Sequence, residues 1–68
     1  GYYMLQWLKK KGVWVAEYKG VDFSISKPKD MLCFTLYMNG KKIVSRAEVW
    51  QLQDYALQLI GGEVVERD

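Results

Sequence analysis

Hydrophobic and polar residues alternate with a period of two through the middle of the chain, which is the pattern of strands with one buried face. The alternation is clearest over residues 21–26, where Val21, Phe23 and Ile25 are separated by polar side chains. Similar patterns occur on both sides of this segment. Together they predict four strands, at residues 13–18, 21–26, 31–38 and 41–45.

The N-terminal segment permits two interpretations. Tyr3, Leu5 and Trp7 alternate as in a strand, and the KKKG segment that follows then suits a hairpin loop. The same residues are compatible with a helix, because Met, Leu, Gln and Lys have good helix propensity and Gly12 suits a C-terminal cap. We favour a fifth strand at residues 2–8 and keep the helix as the alternative.

Two turn signals set the register of the predicted sheet. Asn39-Gly40 is the strongest two-residue hairpin signal, and Pro28-Lys29 is a second candidate because proline supplies the fixed φ of a turn. If both are two-residue loops, one face collects Val21, Phe23, Ile25, Leu32, Phe34, Leu36 and Ile43.

This register predicts specific neighbours across the sheet. Phe34 faces Phe23 and is expected at the centre of the core. The other predicted pairs are Ile25 with Leu32, Val21 with Leu36, and Leu36 with Ile43.

The first hairpin is predicted to have a three-residue loop at residues 18–20. A two-residue loop at Lys19-Gly20 would place Glu17 opposite Asp22, which is a repulsive pair, and would force Lys19 to a positive φ. The longer loop puts Val13 and Val15 on the buried face and Trp14 on the opposite one.

A helix is predicted over residues 46–60. Ser45 and Glu48 have the spacing of a capping box, and Gly61-Gly62 suits a C-terminal cap. Its core stripe comprises Val49, Leu52, Ala56, Leu59 and Ile60. Trp50 and Leu57, which are seven residues apart, widen that stripe on one side, so they either seal the edge of the core or contact a partner.

The predicted architecture is α+β: a single small domain, residues 1–68, with an antiparallel β-meander of four or five strands and one C-terminal α-helix packed on one face. Segments 12–18 (GVWVAEY) and 45–53 (SRAEVWQLQ) resemble the arm-type DNA-binding domains of tyrosine recombinases, which combine a three-stranded sheet with a C-terminal helix. The extra strand and the N-terminal segment depart from that pattern. The resemblance therefore implies a similar fold and carries no function.

The sequence contains few residues that could act in catalysis or bind a metal ion. There is no histidine, and Cys33 is the single cysteine. A thiol–imidazole pair and a structural zinc site are therefore both excluded, and the glycines form no phosphate-binding loop. We expect a non-enzymatic domain without cofactor or metal. A lone cysteine favours a reducing, cytoplasmic location, and no apolar run approaches the ~20 residues of a membrane helix.

The second sheet face is the first candidate binding surface. In the predicted register it carries Trp14 and Tyr37, an aromatic pair bordered by basic residues. Packing of the N-terminal segment, with Tyr3, Leu5 and Trp7, is the structural alternative for that face. Combined with Trp50 and Leu57 on the helix, the face predicts a protein partner or a homo-oligomer.

Charge distribution suggests a second class of partner. Residues 1–46 carry a net charge of +6 and residues 47–68 a net charge of −4. In an up-and-down meander the first and third connections lie at the same end of the sheet. A nucleic-acid-binding patch there is the alternative prediction, with Lys9, Lys10, Lys11, Lys27 and Lys29 as phosphate contacts.

Overall fold

The structure is a computed structural model that describes residues 5–61. Within this range, five strands precede one helix. In chain order the elements are β1 (Leu8–Lys10), β2 (Val13–Tyr18), β3 (Val21–Ser26), β4 (Phe34–Met38), β5 (Lys41–Arg46) and α1 (Val49–Leu59).

The strands form one antiparallel sheet in the order of the chain, and α1 packs on one face over β3, β4 and β5. The α+β meander with a C-terminal helix is therefore confirmed. The fifth strand exists, but it lies at Leu8–Lys10 rather than at residues 2–8. Residues 5–7 are not in a strand, and the part of that prediction on residues 2–4 lies outside the described residues.

Three of the four connections between strands are two-residue turns that end in glycine. In Lys11-Gly12, Lys19-Gly20 and Asn39-Gly40 both residues have positive φ, between 48° and 82°. Such turns match the right-handed twist of the flanking strands, and glycine adopts this conformation without strain. The Asn39-Gly40 prediction is confirmed, whereas the four-residue KKKG loop is wrong because Lys9 and Lys10 continue β1.

The turn between β2 and β3 is also shorter than predicted. Lys19-Gly20 joins the strands directly, so Glu17 faces Asp22 after all. The N–H of Gly20 donates a hydrogen bond to Oε1 of Glu17 at 3.0 Å. This local hydrogen bond fixes the position of the Glu17 carboxylate within the unfavourable pair.

The shorter turn reverses the faces of β2. Trp14 and Ala16 pair with Ile25 and Phe23, which places them on the helix side, whereas Val15 pairs with Ser24 on the other side. The prediction that put Trp14 on the second face and the valines in the core is wrong. Trp14 has a larger apolar surface to bury than a valine, and it packs against the core.

The connection between β3 and β4 is a seven-residue loop, residues 27–33, instead of a turn at Pro28-Lys29. Ile25 pairs with Leu36 rather than Leu32, a shift of four residues along β4. Because four is an even number, the shift leaves each β4 side chain on its predicted face. Residues 31–33 leave the sheet and follow a turn in which the N–H of Met31 donates to the carbonyl of Pro28 at 3.1 Å.

A bulge in β5 changes the last hairpin. Tyr37 pairs with Lys42, but Leu36 pairs with Val44, so Ile43 is the extra residue and both apolar side chains pack against the core. The predicted Leu36–Ile43 pair is therefore wrong. Ser45 belongs to β5, and its hydroxyl lies 2.9 Å from that of Thr35.

The helix begins three residues later than predicted. Glu48 is the N-cap, and its N–H donates to Oε1 of Gln51 at 3.0 Å in a capping box of these two residues. The predicted cap at Ser45 is wrong because Ser45 is a residue of strand β5. At the other end Gly61, with φ 79°, donates to the carbonyl of Gln58, as a glycine cap requires.

The core lies between α1 and the centre of the sheet. Its buried residues are Phe23, Ile25, Leu36, Leu52 and Ala56. Phe34 is not central as predicted: it opens β4, pairs with Arg46 and is half-buried at the end of the core. Leu5 and Trp7 pack against the helix side of the sheet, with the rings of Trp7 and Phe23 6.4 Å apart, and so do not cover the second face as the alternative expected.

Candidate binding surface

Three separate parts of the chain meet at one end of the sheet. Since the strands are antiparallel and in sequence order, the β1–β2 turn, the 27–33 loop and the link from β5 to α1 share this end. We call it the basic end and define it by Lys9, Lys10, Lys11, Lys27, Lys29, Met31, Leu32 and Trp50.

Large apolar side chains protrude at the basic end. Leu32 is 88 % exposed, Met31 is 52 % exposed, and Trp50 is 51 % exposed in the first turn of α1. The loop exposes Met31 and Leu32 because the register of β4 begins only at Phe34. Three exposed apolar residues of this size at one end of a small domain are typical of a contact surface.

The five lysines of the basic end are all exposed. The structure places the first and third connections at the same end, as the meander predicts, while Lys19, Lys41 and Lys42 lie at the opposite end. Lys9 lies on the helix side of β1, with its Nζ 5.5 Å from the centre of the Trp14 ring. This cation–π contact orients one of the charges and covers one face of the indole.

Arg46 lies at the basic end but is engaged locally. Its Nη1 donates to the carbonyl of Ser45 at 2.8 Å, and its guanidinium lies 6.0 Å from the centre of the Tyr55 ring. Among residues 5–61, Asp30 and Glu48 are the acidic residues near this end, and Glu48 forms the helix cap. The lysines outnumber these acids, so the end carries an excess of positive charge.

The predicted partner-binding residues do not form one surface. Trp14 lies on the helix face and Tyr37 on the opposite face, where it pairs with Ser24 and Lys42. Leu57 is half-buried, whereas Trp50 is the substantially exposed member of the set. The structure therefore separates the aromatic pair, and the exposed apolar residues at the same end as Trp50 are Met31 and Leu32, which the sequence prediction had placed inside strand β4.

A groove of about 400 Å³ lies on the sheet face away from the helix, across β1, β2 and β3. Its lining includes Leu8, Lys10, Val15, Glu17, Asp22 and Ser24. Sequence reasoning missed this groove because the wrong loop length placed Val15 in the core. The small side chains of Val15 and Ser24 form a low floor beside the longer side chains of β1.

The described residues meet the requirements of neither a metal site nor a membrane-spanning helix. Residues 5–61 contain no group of three or more cysteine, aspartate or glutamate side chains arranged to hold a metal ion. Within the same range, no helix has the length and apolar character needed to cross a membrane. Cys33 is a free, half-buried thiol in the 27–33 loop rather than a strand residue.

No known protein family, curated protein or solved structure matches this chain.

Proposed function

We propose that the protein is a non-catalytic binding domain that contacts an acidic, partly apolar protein partner through the basic end. The supporting observation is the position of Met31, Leu32 and Trp50, which are exposed together on an end rich in lysine. Tryptophan anchors are enriched among the residues that dominate protein interfaces. The surrounding lysines would steer a partner of opposite charge and set its orientation.

Charge favours a different protein over a second copy of this chain as the partner. A two-fold symmetric contact through the basic end would bring the same lysines of both copies together. Like charges across an interface oppose association. Self-association at this end is therefore the less favoured form, and light scattering over a concentration series tests it directly.

The proposed location is the cytoplasm. Support comes from Cys33, which is the single cysteine of the sequence and so has no intrachain disulfide partner. Lone cysteines of this kind are typical of proteins in reducing compartments.

Selection from a displayed library of random peptides tests the proposed partner chemistry. We expect the selected peptides to combine acidic and apolar residues. Their affinity should fall about tenfold with Leu32→Ser or Trp50→Gln, as is usual for a residue at an interface hot spot.

Leu8→Ser is the matched control, because Leu8 is another exposed leucine, 59 % exposed, on the sheet face away from the helix. Selected peptides that bind the Leu32→Ser and Trp50→Gln variants as tightly as the unchanged domain would contradict the proposal.

Nucleic-acid binding is the second candidate function. One observation favours it: the lysines of two separate connections lie at the same end of the sheet, as phosphate contacts require. Exposed Met31 and Leu32 favour the protein partner over this candidate, because aliphatic side chains add neither stacking nor hydrogen bonds to nucleic acid.

A further inference from the structure

The sheet face away from the helix presents a cross-strand row of five residues. Leu8 pairs with Val15, Val15 with Ser24, Ser24 with Tyr37, and Tyr37 with Lys42. Leu8 is exposed, and Val15 and Ser24 are half-buried. The row is therefore apolar where it crosses β1 and β2. Its two apolar residues there, Leu8 and Val15, lie in the middle of the groove.

Charges of opposite sign lie at the two ends of the groove. Lys10, at one end, pairs with Val13, and Glu17 lies four residues further along the same strand, opposite Asp22. At ~3.3 Å per residue the Cα atoms of residues 13 and 17 are about 13 Å apart. Among residues 5–61 neither Lys10 nor Asp22 forms an ion pair, so both charges are available to a ligand.

The facing carboxylates of Glu17 and Asp22 favour a positively charged ligand group at their end of the groove. Two acids directly opposite each other on neighbouring strands repel. Oε1 of Glu17 accepts a hydrogen bond from Gly20, which fixes that carboxylate but leaves its charge in place. A cation bound between Glu17 and Asp22 would relieve the repulsion, while an anion would be favoured at Lys10.

We propose that this groove binds a short extended peptide with a positive charge at one end, a negative charge at the other and apolar residues between them. A pentapeptide matches the spacing, since the first and fifth Cα atoms of an extended chain are about 13 Å apart and their side chains lie on the same face. Its apolar residues would lie on Leu8 and Val15. The groove volume of about 400 Å³ lies within the range of ~300–1,000 Å³ that is typical of ligand sites.

This site is independent of the proposed function. It lies on the open sheet face, and of the residues that define the basic end it shares Lys10 alone. An acidic peptide bound at the basic end would perturb residues 27–32, whereas a peptide in the groove would perturb Leu8, Val15 and Ser24.

Amide chemical-shift mapping on the ¹⁵N-labelled protein tests the proposal. The probes are three capped pentapeptides: lysine–valine–valine–valine–glutamate, the same peptide with lysine at both ends, and the same peptide with glutamate at both ends. We expect shifts at Leu8, Val15 and Ser24, and an affinity about fivefold higher for the bipolar peptide than for either control, as one extra ion pair allows.

Two variants sharpen the test. Glu17→Gln keeps the oxygen that accepts from Gly20 but removes the charge. Asp22→Asn removes the charge of the residue opposite it. Each variant should reduce the preference for the bipolar peptide over the peptide with glutamate at both ends. Lys42→Gln, on the same face outside the groove, should leave the preference unchanged. Equal affinity for all three peptides, or shifts confined to other surfaces, would overturn the proposal.

Discussion

At the scale of single residues, the facing pair Glu17 and Asp22 opposes the stability of its own hairpin. Both are exposed, and the register brings them directly opposite each other. The backbone around them is well bonded: the N–H of Asp22 donates to Oδ1 of Asn39 at 2.9 Å, and the N–H of Asn39 donates to the carbonyl of Asp22 at 2.7 Å. The local structure thus holds the pair in place despite its charge.

Asp22→Asn should therefore stabilise the protein. Removing one of two facing like charges is expected to raise the free energy of unfolding by about 0.2–1 kcal/mol at low salt. Chemical denaturation measures the gain, which should shrink as salt is added. A double-mutant cycle with Glu17→Gln is the control: if the two gains simply add, the pair does not interact and this explanation is wrong.

At the scale of elements, strands β2 and β3 and the Asn39-Gly40 turn were predictable because short-range patterns determine them. The first residues of β4 were not, because Met31 and Leu32 continue the apolar alternation although they leave the sheet. The face of Trp14 depended on one residue of loop length. Its prediction used the repulsion of Glu17 and Asp22, a weaker effect than burial of the indole ring.

The start of α1 was missed for a similar reason. Both Ser45–Glu48 and Glu48–Gln51 satisfy the capping-box spacing, and sequence alone favours serine as the cap. Pairing of Ser45 with Thr35 in the sheet decides between them, and that contact joins residues ten positions apart. The basic end was predictable only as a group of lysines, because the exposure of Met31 and Leu32 depends on the register of β4.

The register of β4 can be tested with two leucines. Leu36 is fully buried opposite Ile25, so Leu36→Ala should cost about 2–5 kcal/mol of unfolding free energy. Leu32→Ala should cost less than about 0.5 kcal/mol because the side chain is exposed. Thermal and chemical denaturation of both variants measure these costs, and a larger loss for Leu32→Ala would restore the register in which Leu32 faces Ile25.

The position of the helix cap gives a second test at this scale. Gln51→Ala removes the oxygen that accepts from the N–H of Glu48, and should lower the unfolding free energy by about 0.5–1 kcal/mol. Gln58→Ala is the matched control, since it makes the same change on an exposed turn of the helix where no side-chain bond is lost. Equal stabilities of the two variants would show that the capping box contributes nothing.

At the scale of the whole molecule, the lysines divide between the two ends of the sheet. Replacing Lys9, Lys10 and Lys11 with glutamine removes three charges from the basic end, and replacing Lys19, Lys41 and Lys42 removes three from the opposite end. If duplex DNA binds at the basic end, the first variant should reduce the slope of log affinity against log salt by about three, and the second should change it little. Fluorescence anisotropy with labelled DNA over a salt series measures both slopes.

Equal effects of the two triple variants would indicate non-specific attraction to the whole domain. No binding of DNA or RNA at low salt would end the nucleic-acid alternative and leave the protein partner as the proposed function.

The central claim is that the basic end forms the contact with the partner. Amide chemical-shift mapping with a peptide selected for acidic and apolar residues tests it most directly. We predict that the shifts concentrate in residues 9–11, 27–32 and 46–50, and that about tenfold more peptide is needed to produce them in the Leu32→Ser variant but not in Leu8→Ser. Shifts concentrated at the opposite end of the sheet, in residues 18–21 and 39–42, would contradict the claim.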